Sequence, residues 1–465
     1  MLTTSPAPGP EESAPGTRRR TPARIGVEEE FLLHDHQAGQ ATPRAAEVIA
    51  ALGTSRDHAR TEMHGTQLEL VTEPATDLRA LTADLLRNRK QAIAAADELG
   101  MRLLATGLHP LAEPGPAPPS EQRYQEMIAH YGAAAATYQG CGTHVHVEVT
   151  DRDAAALVLG HIAPWIPVLV ALAGNSSYCA GTDTGFSSWR IALQRRFPLA
   201  GLPPAFCSAA HYDETIDNLV DRGVLKDQHT SFWLARLSDR YPTVELRAAD
   251  VGLTADDSAL QAALSRALVM TALADLERGI EPVALDPAWA DAAVWMAARH
   301  GIEGPAIDPV AQIQVPLAHR LASLLETTTD ALCEAGDYQR ARAMLAGLQR
   351  RGTGAEVQRR AGCSGTDHVI TVAEQAAGQS EGLGHGGRRL LACAREDTAA
   401  QATPMIASTD PGACQDAAPE SSPASRSITG AQSTGAQSTG AQSILLAIGL
   451  LVMLLAAVVG VAAIL

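Results

Sequence analysis

Four short segments of the sequence alternate charged side chains with apolar ones. They are IGVEEEFLL at 25–33, QLELV at 67–71, THVHVEV at 143–149 and TVELRA at 243–248. Residues two apart lie on the same face of a β-strand, so each segment would carry its charges on one face and its apolar residues on the other. In chain order the charged set is Glu28, Glu30, Glu69, His144, His146, Glu148, Glu245 and Arg247. The pattern predicts four strands whose polar faces carry mainly carboxylates.

Brought together, these side chains would form an acidic cup with one or two basic members. Oxygen-rich sites of this kind hold Mg²⁺, and Mg²⁺ in enzymes commonly binds together with phosphate groups. The segments therefore favour a magnesium site that handles a phosphate compound. Glu29 lies on the apolar face by the same alternation, and we interpret it as a structural residue. For His144 and Glu148 the alternation leaves a structural and a functional role open.

The composition limits the class of protein. The chain has 465 residues, 46% of them hydrophobic, which is enough for one large or two ordinary domains with a buried core. The formal net charge of −16 disfavours nucleic-acid binding, because neutralising phosphates needs a basic surface. The seven cysteines are scattered and show no CxxC spacing, so we expect free thiols in a reducing cytoplasm rather than disulfides or a zinc site.

Helices are predicted between and after the four strands, where apolar residues recur at helical spacing. The predicted helices are 42–52, 77–99, 121–131, 152–173, 211–225, 255–278, 287–300, 319–335 and 337–349. A further strand is predicted at 102–107, and the segment 369–376 could close the fold. Asp151 is a candidate N-cap, and Pro164 and Pro167 should kink or split the helix that follows it. Thr254 and Asp257 have the spacing of a capping box.

The two ends of the chain differ in composition from the part between them. Residues 1–23 are rich in Pro, Gly, Ser and Thr, and we interpret them as a disordered lead. Residues 377–443 have the composition of a flexible linker and contain TGAQS three times in tandem. Residues 444–465 form an uninterrupted apolar run, long enough to span a bilayer, and we predict a C-terminal transmembrane anchor there. A buried core helix is the alternative, but a helix that is apolar all round and follows a linker has no core to enter.

The order and spacing of several motifs resemble those of a known family. The motifs are GVEEEFLL, THVHVEV, NSSYCAGTDTGFSSWR, FPLAGLPP, TVELRAADVGLT and RGTGAEVQRR, all within a catalytic domain that we place at 24–376. Together they resemble the glutamate–cysteine ligase type 2 family, carboxylate-amine ligases related to glutamine synthetase. The resemblance implies an α+β fold of the glutamine synthetase/guanido-kinase-like kind, a curled antiparallel β-sheet funnel backed by helices. It also implies ATP-dependent joining of glutamate to cysteine through an acyl phosphate, with ATP and Mg²⁺ as cofactors.

The resemblance further implies roles for particular residues. The metal would be held by Glu28, Glu30, Glu69, His146 and Glu245, with Glu62 as a further candidate. Arg247, Arg190 and Arg236 would be catalytic, and Arg190 and Arg247 would also bind the nucleotide. These residue types suit the reaction, because phosphoryl transfer develops charge on oxygens that arginine and a metal ion stabilise. No protein nucleophile is required.

Three other hypotheses stay open. The ligase could join another acid and amine, since no residue identifies the pair. A metal hydrolase could use His144 and His146 as a metal pair, although it would need further His or Asp ligands downstream, for which the candidates are His211 and His229 in unremarkable settings. The third is a membrane-tethered binding module without turnover. We expect small-molecule substrates, no nucleic-acid partner, and a cytoplasmic catalytic domain anchored to the cell membrane. The oligomeric state is open and includes a homo-oligomer.

Overall fold

The structure is a computed structural model, and it describes residues 22–35, 37, 39–111 and 119–380. The predicted anchor at 444–465 lies outside the described residues. So do residues 1–21 of the predicted lead and residues 381–443 of the predicted linker. These three interpretations therefore stay predictions.

The described residues contain strands and helices in alternation along the chain. The strands are β1 Ile25–Asp35, β2 Gln40–Ala41, β3 Ala59–Thr61, β4 Gln67–Val71, β5 Met101–Leu104, β6 Gly142–Glu148, β7 Tyr178–Cys179, β8 Thr182–Asp183, β9 Ala235–Leu237, β10 Thr243–Asp250, β11 Pro305–Asp308 and β12 Ile313–Pro316. The helices are α1 Ala45–Ala51, α2 Leu78–Glu98, α3 Gln122–Tyr131, α4 Ala133–Ala136, α5 Arg152–Ile162, α6 Ile166–Ala173, α7 Trp189–Gln194, α8 Ala209–Asp221, α9 Ala255–Glu277, α10 Pro287–His300, α11 Leu317–Glu334, α12 Tyr338–Arg351, α13 Gly354–Gly362 and α14 Thr366–Ala377.

The main sheet has eight strands, and all of its pairs are antiparallel. Its strand order is β3-β4-β1-β6-β10-β9, and β2 and β5 extend the ladder at the far end of β1. The four segments with alternating charges are β4, β1, β6 and β10, which are consecutive in that order. The predicted mixed fold with an antiparallel sheet is confirmed.

The apolar face of this sheet packs against helices. Val27 on β1, Val145 on β6 and Leu246 on β10 belong to one buried cluster with residues of α2, α5, α6 and α9. Helix α9 touches both β1 and β6 and also packs against α2, α5, α11 and α12. Since the helices cover one face, the charged side chains of the four strands are left on the other.

Most predicted elements are present with shifted ends. The Asp151 side chain accepts from the Asp153 N–H and so caps α5, and a 3₁₀ turn at Ala163–Trp165 separates α5 from α6, as the prolines predicted. The Thr254 N–H donates to the Asp257 carboxylate, completing the predicted capping box of α9.

Some elements were missed. Helix α7 is only six residues long, too short for periodicity to show, and its N-cap is Ser188. Helix α13 begins at a capping box of Thr353 and Glu356, a signal that the sequence carries in T-G-A-E. The fold also continues past the predicted boundary at 376, because the Ser380 hydroxyl donates to Asp256 at 2.9 Å.

Two described helical segments are long and apolar enough to cross a membrane. They are Arg152–Ala173 and Ala255–Glu277, and 83% and 67% of their most apolar windows are buried inside the fold. This burial is typical of core helices in a globular domain, and both segments belong to the main buried cluster.

Candidate active site

The charged faces of β4, β1, β6 and β10 line one cavity of about 680 Å³. The cavity wall includes all of the residues assigned a metal or catalytic role by resemblance, namely Glu28, Glu30, Glu69, Arg190, His146, Arg236, Glu245 and Arg247, together with Glu62 and His144. The register of the four strands explains the convergence. Glu30 lies opposite Glu69, Glu28 opposite His144, and Glu245 opposite His146, so these neighbours share a face.

The first group of potential metal ligands is Glu28, His146 and Glu245, which we call the histidine group. Their nearest ligand atoms all lie within 4.8 Å of one another. Burial alone would raise the pKa of Glu28, but hydrogen bonds from His144 and His146 outweigh it and lower that pKa below its ordinary value. Burial also opposes ionisation of Glu245, yet Arg236 and Arg247 hold the pKa of that carboxyl well below its ordinary value. Both carboxylates are therefore ionised at neutral pH.

The second group is Glu30, Glu62 and Glu69, which we call the carboxylate triad. Its nearest oxygens also lie within 4.8 Å of one another. Burial and the neighbouring carboxylates raise the pKa of Glu30 and of Glu62 to about 7 and the pKa of Glu69 well above its ordinary value. Ionising all three carboxyls in this buried position is therefore costly, and a bound cation would offset that cost.

His144 stands between the two groups. Its Nδ1 lies 3.5 Å from Glu28 Oε2 and its Nε2 lies 3.7 Å from Glu30 Oε1. Burial, assisted by Arg247, lowers the pKa of His144 to about 4, so the ring is neutral at neutral pH. The structure gives His144 a bridging position that the alternation had left open.

Arg236 and Arg247 both pair with Glu245. Arg236 Nε donates to Glu245 at 2.7 Å, and its Nη1 donates to the carbonyl of His229 at 2.8 Å. Arg247 Nη1 donates to the other Glu245 oxygen and lies 3.4 Å from His144 Nδ1. Arg247 Nε is buried and has no hydrogen-bond partner among the described residues. A buried N–H of this kind in a cavity wall is suited to a ligand oxygen.

Arg190 lies in the cavity wall, but most of its donors serve the fold. Its Nε donates to Asp250 at 2.7 Å and its Nη2 to the Ala249 carbonyl at 2.6 Å. Its side chain is only 4% exposed. The sequence prediction did not include this ion pair, because Asp250 is 60 residues away in the chain. The predicted ligand role of Arg190 therefore depends on Nη1, which lies 3.4 Å from Gln194.

Two other acidic residues of the strands stand outside the two groups. Glu148 pairs with Arg24 at 2.6 Å and does not line the cavity formed by the described residues. Glu29 is buried on the opposite face of β1, where it pairs with Arg89, as its predicted structural role requires. The alternation places Glu148 on the right face, but the strand ends there, at the rim of the sheet.

Sequence reasoning missed the residues that support the carboxylate triad. Arg60 Nη1 lies 3.4 Å from Glu69, and the Tyr124 hydroxyl donates to Glu62 at 3.1 Å. Arg60 and Glu62 are two residues apart, so alternation through β3 could have placed them together. Tyr124 lies on α3, far from every strand in the sequence, and nothing local connects it with the triad.

Comparison with known proteins identifies relatives of the chain. The sequence model of glutamate-cysteine ligase family 2 (GCS2) matches residues 24–371. A Saccharopolyspora erythraea protein, provisionally named glutamate–cysteine ligase 2-2, is 42% identical over 368 residues, which are 77% of this chain and 94% of that protein. A Mycolicibacterium vanbaalenii protein with the same provisional name is 40% identical over 358 residues, 77% of this chain and 98% of that protein.

Solved structures share the fold at much lower identity. A glutamate–cysteine ligase from Francisella tularensis, in complex with AMP, aligns with a TM-score of 0.59 and 13% identity over 82% of this chain and 94% of that chain. A bifunctional glutathione synthetase from Pasteurella multocida aligns with a TM-score of 0.57 and 15% identity over 77% of this chain and 52% of that chain. At these identities the likeness concerns the arrangement of helices around the antiparallel sheet.

Proposed function

Because the chain belongs to glutamate-cysteine ligase family 2 and is a ligase that forms amide bonds, we propose that its substrates are ATP, glutamate and cysteine. The family assignment confirms the resemblance seen in the motifs. The observation that supports the proposal most directly is the pairing, in one cavity, of two groups of potential metal ligands with Arg236 and Arg247. A cavity of about 680 Å³ is large enough for a nucleotide and a small amino acid.

We propose that the histidine group and the carboxylate triad hold Mg²⁺. Mg²⁺ prefers hard oxygen ligands, and five of the six residues in the two groups offer a carboxylate. The raised pKa values of the triad support the same assignment, since burial and the neighbouring carboxylates disfavour the ionised forms, a cost that a bound cation would offset. Bound Mg²⁺ would offset the charge of phosphate oxygens in a chain that is itself strongly acidic.

The reaction that we propose has two steps. A carboxylate oxygen of glutamate forms a bond to the γ-phosphorus of ATP while the bond from that phosphorus to the β-phosphate oxygen breaks, giving an acyl phosphate and ADP. The amine nitrogen of the second substrate then forms the amide bond to the acyl carbon, phosphate leaves with the electron pair of the broken bond, and the amine gives up a proton.

The side chains of the cavity have distinct tasks in this proposal. The free Nε–H of Arg247 donates to an oxygen of the phosphoryl group, where negative charge is spread during transfer. Arg236 keeps Glu245 ionised and oriented through its hydrogen bond. Arg190 Nη1 donates to Gln194 Oε1 at 3.4 Å, and its second N–H would donate to a phosphate or carboxylate oxygen at that end of the cavity.

The alternative of a metal hydrolase with a histidine pair has less support. His146 groups with Glu28 and Glu245, whereas His144 is neutral and bridges two carboxylates. His229 lines the cavity, where its Nδ1 pairs with Asp239 at 2.8 Å, but it belongs to neither group of potential metal ligands. The potential ligands in the two groups are mainly carboxylates rather than the histidines that zinc hydrolases use.

The test of the proposed function is product formation by the purified full-length chain. ATP, Mg²⁺ and glutamate are supplied with or without cysteine, and phosphate release is measured together with γ-glutamylcysteine by mass spectrometry. We expect cysteine-dependent release that is lost in Glu28→Gln and Glu30→Gln. Glu148→Gln is the matched control, since it removes a carboxylate of the same sheet outside the cavity. Phosphate release with another amine from a panel would support the ligase reaction but change the proposed substrate. No phosphate release with any acid and amine pair would contradict the proposal.

We also propose that residues 444–465 anchor the protein to the cell membrane, with the ligase domain in the cytoplasm, where ATP and Mg²⁺ are supplied. The support is the uninterrupted apolar run that follows a linker composition. Fractionation of cells that make the full-length chain tests this location. Full-length protein found only in the soluble fraction would contradict it.

A further inference from the structure

Each carboxylate of the triad is held by a different hydrogen-bond donor. The backbone N–H of Gly142 donates to Glu30 Oε2 at 2.7 Å. Arg60 lies 3.4 Å from Glu69 Oε1, and the hydroxyl of Tyr124 donates to Glu62 Oε2 at 3.1 Å. A carboxylate has two oxygens, so a donor on one of them leaves the other available for a cation.

Glu62 is the member of the triad that depends most on its side-chain donor. Glu30 and Glu69 lie within β1 and β4 and face each other across the ladder, so the sheet sets their positions. Glu62 follows the end of β3, and its N–H donates to the Gln67 carbonyl at 3.4 Å. The sheet therefore constrains the position of the Glu62 side chain less than it constrains Glu30 and Glu69.

Tyr124 is well placed to supply that support. The turn before α3 is attached to the Glu62 segment, because the Ser120 hydroxyl donates to the Glu62 carbonyl and the Ser120 N–H donates to the Met63 carbonyl at 3.2 Å. The Tyr124 ring packs in a small apolar cluster that includes Met63 and Met127. The attachment of the turn before α3 and the packing of the ring therefore hold the Tyr124 hydroxyl near Glu62.

We propose that Tyr124 is a positioning residue for the metal site: its hydroxyl holds one oxygen of Glu62 so that the other faces Glu30 and Glu69. The inference rests on the proposed function, because it assumes that the triad binds a divalent cation. Hydrogen bonds to metal-binding carboxylates commonly change metal affinity by one to two orders of magnitude. A role of this kind belongs to the free protein and Mg²⁺ and needs no substrate.

The test measures Mg²⁺ binding without turnover. The rise in thermal midpoint of the full-length protein is followed against Mg²⁺ concentration for the wild type, Tyr124→Phe and Tyr131→Phe. Tyr131 is the matched control, because it lies on the same helix and its hydroxyl bonds to the Lys226 N–H and to Thr230 instead of a carboxylate. We expect Y124F to need about ten times more Mg²⁺ for half of the effect, and Y131F to follow the wild type.

A double-mutant comparison distinguishes positioning from a general effect on the fold. Glu62→Gln should weaken the Mg²⁺ response at least as much as Y124F. In the double variant Y124F should add nothing, because the carboxylate through which it acts is gone. A Y124F titration equal to the wild type, or an undiminished effect of Y124F in the E62Q background, would overturn the inference alone. A wild-type protein that shows no response to Mg²⁺ would overturn the proposed metal site as well.

Discussion

Arg89 lies on α2 and connects β1, a strand of the candidate site, with the segment before α9 and the end of α14. Its side chain is fully buried and makes two hydrogen bonds to Glu29, at 2.9 Å through Nε and 2.5 Å through Nη2. Its remaining N–H groups donate to the carbonyls of Gly252 at 2.8 Å, Ala377 at 3.3 Å and Leu253 at 3.4 Å. Replacing Arg89 by Leu would leave the Glu29 carboxylate, which is 1% exposed, without its counter-charge.

The size of the effect follows from this burial. Removing one partner of a buried ion pair costs about 3–5 kcal/mol, because the remaining charge stays desolvated. Unfolding of roughly 350 ordered residues carries an entropy of about 0.7 kcal/mol per degree at the midpoint. We therefore expect Arg89→Leu to lower the thermal midpoint by about 4–7 °C.

Thermal denaturation of the purified protein, followed by circular dichroism, measures this shift. Arg79→Leu is the matched control on the same helix, because the Arg79 side chain is exposed; it should move the midpoint by less than about 1 °C. The double variant E29L/R89L should recover part of the loss, since it removes both charges. An R89L midpoint within about 1 °C of the wild type would refute the reasoning.

Three further predictions concern the cup and the helix behind it. Burial raises the pKa of Glu30 and of Glu62 to about 7, so the folded protein holds these protons more tightly than the unfolded chain does. The thermal midpoint of the metal-free protein should therefore fall as pH rises from about 4.5 to 7. Mg²⁺ should then stabilise the protein more at pH 8 than at pH 6, and an equal shift at both would contradict this. Arg247→Lys should lower kcat on the order of 100-fold in the phosphate-release assay, because lysine lacks the unpartnered Nε–H that we propose as the phosphoryl donor; an unchanged kcat would exclude a role in transfer. Thr254→Ala should cost about 1 kcal/mol through loss of the α9 cap and leave kcat unchanged, as thermal denaturation and kinetics would show.

The strands of the site and the face on which each charged residue lies were predicted more accurately than the hydrogen-bond partners of those residues. Alternation along IGVEEEFLL and TVELRA was sufficient to put Glu28 with Glu30 and Glu245 with Arg247, because the side-chain period of a strand is a local property of the backbone. The capping boxes and proline breaks were visible for the same reason. The ends of helices shifted by a few residues, since the last turns depend on what the neighbouring elements offer.

The partners of the charged residues could not be predicted in this way. Arg190 was expected to meet a ligand, and most of its guanidinium is bound to Asp250 and backbone carbonyls. Tyr124 carries no local signal at all, yet its hydroxyl reaches Glu62 across 62 positions of sequence. Such contacts arise from the packing of a helix against a loop, which a single segment does not encode.

The sequence by itself therefore determined the family, the strands and the face on which each charge lies. These follow from residue order and from a two-residue period that is independent of the rest of the fold. The tertiary structure alone decided the register that sets Glu30 against Glu69 and Glu245 against His146. It also decided that the carboxylates divide into two groups with His144 between them. Register and grouping depend on which strands become neighbours and on how far each charge is buried, and both are set by packing between distant parts of the chain.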